Sequence, residues 1–249
     1  METVVAVTLI TVMVVGLVAG ISYYTIAKSQ DNQKLAEARL GLMKIETTAD
    51  VLRNLALTNQ NTALVAHRFS FGYFEIKDDG ATIINMTVNG NPSILLAEPH
   101  RLFRYVGSYV SFNTQPFYPL NPNDTAVASS QRGTTPIYEY SDSTHSYIVV
   151  NNRVYITEIQ TRGTITNVQI YVLILNAPTE MNSPPLGTVT FQAQTAVKTF
   201  AFNIQLTQSV VFGVTSGDKS QNISIPMITG STLQVEVHQI QVNVTFLPE

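Results

Sequence analysis

No cysteine occurs among the 249 residues, which excludes a disulfide framework and any cysteine metal centre. Charge is also scarce. Asp, Glu, Lys and Arg make up 12% of the chain, about half the usual share of roughly 25%. The net charge of −3 provides no basic field, so nucleic acid is excluded as a partner. No Lys or Arg precedes Lys28, and no charged side chain of any kind lies between Thr3 and Ala27. A secretory signal peptide needs a basic start, about 7–15 apolar residues and a small-residue cleavage site, so this stretch is not one.

What stands there instead is an uninterrupted apolar run of 25 residues, Thr3 to Ala27. A helix needs about 20 such residues to cross a bilayer core of about 30 Å. The nearest basic residues, Lys28 and Lys34, follow the run, and the positive-inside rule would then put the remainder in the cytoplasm. Composition points the other way. Ser, Thr, Asn and Gln carry the polarity, interleaved with Val, Ile, Tyr and Phe, which suits half-buried strands and an extracellular wall or filament protein.

Residues 28–58 hold no proline, and Leu35, Ala38, Leu42, Ile45, Ala49, Leu52 and Ala56 recur at alternating spacings of 3 and 4. That is the a/d pattern of a helix packed on another helix. The helix is therefore expected over residues 1–58, with 3–27 spanning a membrane or a filament core and 28–58 amphipathic. Gly16, Gly20 and Gly41 are candidate kinks, since each costs about 1 kcal/mol against Ala in a helix interior. Gly16 and Gly20 also form a small-xxx-small pair that permits close helix approach.

From about Arg68 the period changes to two. "RFSFGYFEIKDDGATIINMTV" reads as two strands with a hairpin turn at Asp79-Gly80, and "HSYIVVNNRVYITEIQ" as two more with Asn151-Asn152 at the turn. Further strands are expected at Thr164–Leu175, Gly187–Leu206, Ser209–Thr215, Asn222–Ile228 and Leu233–Phe246. In the last, Leu233, Val235 and Val237 alternate in one phase and Ile240, Val242, Val244 and Phe246 in the other, which predicts a bulge near His238-Gln239. Residues 113–124, rich in proline, read as an exposed loop. The class is α+β: a long N-terminal hydrophobic helix, then an antiparallel, Ig-like β-sandwich over 68–249.

Catalytic and metal motifs are missing. His67, His100, His145 and His238 are far apart and show no H-E-x-x-H spacing. Glu236 with His238, and Asp142 with His145, lack a third ligand. The runs 77–80 and 121–125 are rich in oxygen side chains but have turn spacing rather than that of a calcium loop. There is no G-x-S-x-G, Walker loop or dinucleotide fingerprint, so the chain reads as a non-enzyme without cofactor. N-linked glycans are the one added group expected. The sequons at Asn85, Asn123, Asn222 and Asn243 all lie in the strand region and none in the helix, in agreement with an outward, sugar-bearing domain.

An apolar N-terminal helix, its amphipathic continuation and a Thr/Val-rich β-domain together resemble the archaeal type IV pilin and archaellin group. The resemblance implies a leader removed by a prepilin peptidase, with residue 1 at or near a processed N-terminus. It implies passage from the membrane into a helical filament of identical copies, built by pilus assembly machinery. The expected product is an extracellular filament on the cell surface, with adhesion as one use of its outward loops. Polymerisation contacts fall on Gly16, Gly20, Leu35, Ala38, Leu42, Ile45, Ala49 and Leu52. The alternative is a single-pass membrane anchor for a cell-surface β-domain that binds a partner or the cell wall and does not polymerise, with Tyr23 and Tyr24 at the membrane interface.

Overall fold

A computed structural model describes residues 2–58, 61–108, 118–119, 128–129, 137–150, 154–162, 164–178, 181–204, 208–217, 219–227 and 230–249. One helix, α1 (Glu2–Leu57), is followed by β1 (Thr62–Arg68), β2 (Gly72–Val88), β3 (Asn91–Gly107), β4 (Tyr118–Pro119), β5 (Ala128–Ser129), β6 (Ile137–Ser141) and β7 (Ser146–Val150). Then come β8 (Val154–Arg162), β9 (Ile165–Asn176), β10 (Met181–Asn182), β11 (Leu186–Asn203), β12 (Gln208–Ser216), β13 (Lys219–Met227) and β14 (Thr232–Pro248). The α+β order is as expected, and the strand region begins earlier than Arg68, at Thr62.

The helix has 56 residues, about 84 Å at 1.5 Å per residue. It continues through Gly16, Gly20 and Gly41 without a break, so none of the three glycines ends it. No proline interrupts it, and its second half is fixed by packing that outweighs the weak propensity of one glycine. The a/d stripe is covered by the chain's own strands. Ile45, Ala49, Leu52 and Ala56 are buried in a core with Phe74, Phe103, Phe191 and Val242, and Leu42 packs against its margin. Leu35 and Ala38 are half-buried.

The strands form two sheets. One has the order β1-β11-β14-β9-β8-β5 and the other β13-β12-β2-β3-β7-β6-β4, with β10 attached to β2. They are not purely antiparallel: β14 runs parallel to β9, and β5 parallel to β8. Two cores result. The first joins both sheets to the helix; the second joins the sheets alone, through residues such as Ile84, Met86, Val168, Phe212 and Val235.

This double core explains the phase change in β14 without a bulge. Its pairing is unbroken with β11 from Thr232 to Pro248 and with β9 from Thr232 to Asn243, so odd and even residues face opposite sides throughout. Leu233, Val235 and Val237 belong to the second core, whereas Ile240, Val242, Val244 and Phe246 belong to the first. The strand is covered on one face along its first half and on the other along its second.

The Asp79-Gly80 hairpin does not form. β2 is one 17-residue strand, and Asp78 and Ala81 pair with Arg101 and Pro99, so the dipeptide supplies one extra residue, a bulge in which Gly80 takes φ 88°. The turn lies at Asn89-Gly90, with φ 50° and 81°; two left-handed residues are what a two-residue hairpin with right-handed twist requires. Residues 151 and 152 lie outside the described residues; the flanking strands β7 and β8 belong to different sheets and do not pair with each other. In the expected loop 113–124, Tyr118–Pro119 pairs with β6; its other residues lie outside the described ones.

Candidate functional site

The surface that most needs a partner is the free end of α1. Ile10, Val12, Met13, Val14, Val15, Leu17, Val18, Ile21 and Ile26 are all exposed. They cover every side of the helix, since nearly every position is apolar. The span is apolar enough to cross a membrane, with a mean hydropathy of 1.9 over its best window and none of that window buried. A single exposed apolar side chain needs no explanation, but a contiguous patch of this extent marks a contact with lipid or protein. Gly16 and Gly20 lie in the middle of it with open space where a Cβ would be. Beyond them Tyr23 and Tyr24 are exposed, with the Lys28 ammonium 5.8 Å from the Tyr24 ring centroid.

Where the helix enters the strand region, three devices hold it. The stripe from Ile45 to Ala56 supplies the burial. Glu37 supplies direction: its carboxylate accepts hydrogen bonds from the backbone N–H groups of Ser70 and Phe71, each at 2.6 Å. Gly41 supplies proximity, because the Tyr105 ring lies against the helix backbone there. A Cβ on Gly41 would stand 2.6 Å from Tyr105 Cδ1, and the same ring is flanked by Gly72 and Gly107. Burial, and then the Glu37 carboxylate, raise the Tyr105 hydroxyl above its usual range. Boxed on three sides, the ring has nowhere to retreat, so Gly41→Ala is expected to lower stability by about 1–3 kcal/mol, the usual cost of overpacking. Urea unfolding of the variant measures it, with Ala36→Gly on an exposed position as the opposite-sense control.

Of the expected polymerisation residues, Gly16 and Gly20 are exposed on the free end, Leu35, Ala38 and Leu42 lie in the transition zone, and Ile45, Ala49 and Leu52 are inside the chain's own core. Of the sequons, Asn85 and Asn222 are exposed and oppose Gly213 from either side on neighbouring strands. The Asn85 side-chain oxygen takes the space over Gly213 that a Cβ would fill. Asn243 is half-buried and its side-chain oxygen accepts a bond of 2.8 Å from Asn176. Asn123 lies outside the described residues. Expected glycan mass on native peptides containing Asn85 and Asn222 is a direct check, and bare asparagine at both would weaken an outward placement of this sheet.

Elsewhere among the described residues, polar side chains converge around Ser216, His238 and Asp142. Ser216, His100 and Asp79 converge, but Ser216 Oγ lies 3.1 and 3.2 Å from the two ring nitrogens of His100, so neither nitrogen is aimed at it alone. Asp79 is 3.7 Å from Nε2, and both Ser216 and His100 are buried. A nucleophile needs a directed base and access to substrate, and this cluster offers neither. Among the described residues no group of three His, Asp or Glu side chains is arranged to hold a metal. His238 stacks on Tyr171 with centroids 4.4 Å apart, and its Nε2 lies 3.5 Å from Glu236. Asp142 caps its own turn by accepting from the backbone N–H groups of Thr144 and His145.

Burial pushes the His100 imidazole from 6.5 to about 4. A proton therefore binds the unfolded chain more readily than the folded one between those values, and stability is lost as pH falls through that window. The loss is about 3 kcal/mol at most, reduced to the extent that the nearby Asp79 carboxylate favours the charged ring. Denaturant midpoints at neutral and acid pH measure it, and His100→Asn is expected to flatten the difference.

Comparison of the chain with family models, with curated proteins and with solved structures returns no match. The reading of its function therefore rests on the helix end and its mounting.

Proposed function

We propose that the chain is a structural subunit of an archaeal type IV pilus-like extracellular filament, polymerising through the free end of α1 with the strand region outward for surface contact. The observation that carries this is a combination within one helix: apolar on every side from Ile10 to Ile26 and exposed there, yet held at fixed direction by Glu37, Gly41 and the buried stripe. A polymer in which every copy is equivalent needs each helix to leave its domain at the same angle. A membrane anchor only needs to be long and apolar. The strand-rich, two-sheet region supplies the outward domain of such a subunit.

In this reading the free helix passes from lipid to a protein core. Its affinity for lipid and for other helices is similar in hydrophobic terms, so cohesion comes from close packing, which Gly16 and Gly20 permit. The resemblance adds a prepilin peptidase and an assembly machinery as partners before polymerisation. The single-pass anchor is the second reading, favoured by Tyr23 and Tyr24 beside Lys28 at the end of the apolar span, an arrangement suited to a membrane interface. Fractionation of cells into membrane and sheared surface material separates the two: a filament subunit is recovered in sedimentable sheared material, and an anchor only in membranes.

A further inference from the structure

Among the described residues, the first half of β11 is paired on both sides and its second half on one. β1 accompanies β11 only as far as Gln192, whereas β14 accompanies it to Asn203. The last bond on the outer side runs from the Ala193 N–H to the Asn61 carbonyl at 2.9 Å. Pairing with β14 has no register shift along β11, so the backbone groups of Thr195, Val197, Thr199 and Ala201 point the same way as those of Ala193, away from the sheet. At the far end, the Asn203 carbonyl accepts 3.0 Å from the Asn89 side chain, which confirms that direction and closes the row. Between these limits residues 195–199 and Ala201 are exposed.

Edge strands in soluble proteins are normally guarded by proline, bulges, inward charge or brevity. The β13 edge of the other sheet carries Pro226. The β11 edge from Thr195 to Phe202 has no proline, no bulge and a single charge, Lys198, and Val197 on it is 53% exposed. The donors and acceptors left open there among the described residues fit one kind of partner, an extended backbone.

We propose that the partner is the same edge of a second copy, paired antiparallel about a two-fold axis at Thr199. In this register Thr199 opposes Thr199 and Val197 opposes Ala201, all with outward backbone groups, while Lys198 opposes Phe200 and brings its ammonium to an aromatic ring. Centring on Lys198 would set like charges opposite each other. Centring on Val197 would set Lys198 opposite Ala196 and lose its contact with the aromatic ring. A two-fold contact closes on itself and does not propagate. It therefore joins two copies whether they are membrane-anchored or lie in neighbouring filaments, and it stands apart from the polymerisation reading.

The absence of native cysteine makes the test clean. In a hydrogen-bonded antiparallel pair, opposed Cα atoms lie about 5.5 Å apart, within the range a disulfide bridges. The full chain carrying Thr199→Cys, purified in mild detergent and oxidised with copper phenanthroline, is expected to give about tenfold more linked dimer than Leu64→Cys, which is exposed on β1. Adding Val197→Pro, which removes one outward N–H, or Val197→Lys, which guards the edge with charge, is expected to reduce the dimer to the Leu64→Cys level. Equal dimer yields at positions 199 and 64, or linkage indifferent to both Val197 changes, overturn the proposal.

Discussion

Gly16→Leu with Gly20→Leu is expected to abolish surface filaments or change their geometry while the subunit accumulates, intact, in the membrane fraction. Neither position meets any neighbouring atom within 4 Å in the single chain, so the folded subunit has room for both side chains. Each replacement also gains about 1 kcal/mol of helix propensity and lengthens no polar stretch, so insertion into lipid is unharmed or improved. The only place where added leucines can do damage is between closely approaching helices, where dispersion depends on contact at optimal separation. The anchor reading predicts no change in fractionation. Filaments of unchanged geometry from the double variant would remove the glycine pair from the polymer contact.

Ile45→Asp is expected to act on the subunit itself. Ile45 is fully buried, in the core that joins the helix to both sheets, and an unpaired buried charge costs about 3–5 kcal/mol. Against a total stability of about 5–15 kcal/mol, that threatens the docking of α1 and with it the direction in which the free end leaves the domain. The melting temperature should fall by about 6–20 °C, at about 2–4 °C per kcal/mol for a chain of this size. Glu46→Asp, one residue on and exposed, should leave it unchanged. An unaltered melting point for Ile45→Asp would show that the helix does not pack on its own strands.

The two variants divide α1 by the kind of partner each half requires, and that division was only half legible in the sequence. The length of the helix and its change of character after Ala27 follow from periodicity and charge, and both are present in the fold. The a/d stripe correctly marked a packed face, but spacing reports a face and not its partner: the stripe meets Phe74, Phe103 and Val242 of its own chain. The same limit explains β14. Two alternating phases signal two covered faces, and a bulge is one way to obtain them; a strand passing between two cores is another, and only the pairing of both neighbours distinguishes them. The turn was expected at Asp79-Gly80 and not at Asn89-Gly90, whose glycine tolerates a positive φ equally well. Their difference lies in the length of strand that β3 can pair on either side. Glu37 was invisible for a different reason: an acidic residue on an exposed helix is common, and its bond to the Ser70 and Phe71 amides depends on where a remote turn is placed.

The central claim is that this helix ends in a polymer and not in a bilayer. The most direct measurement is negative-stain electron microscopy of sheared cell-surface material, with the N-terminal sequence of its main protein band read from the same sample. The account predicts thin helical filaments whose main band is this chain. Sheared material without filaments, with the chain retained wholly in membranes, would contradict it.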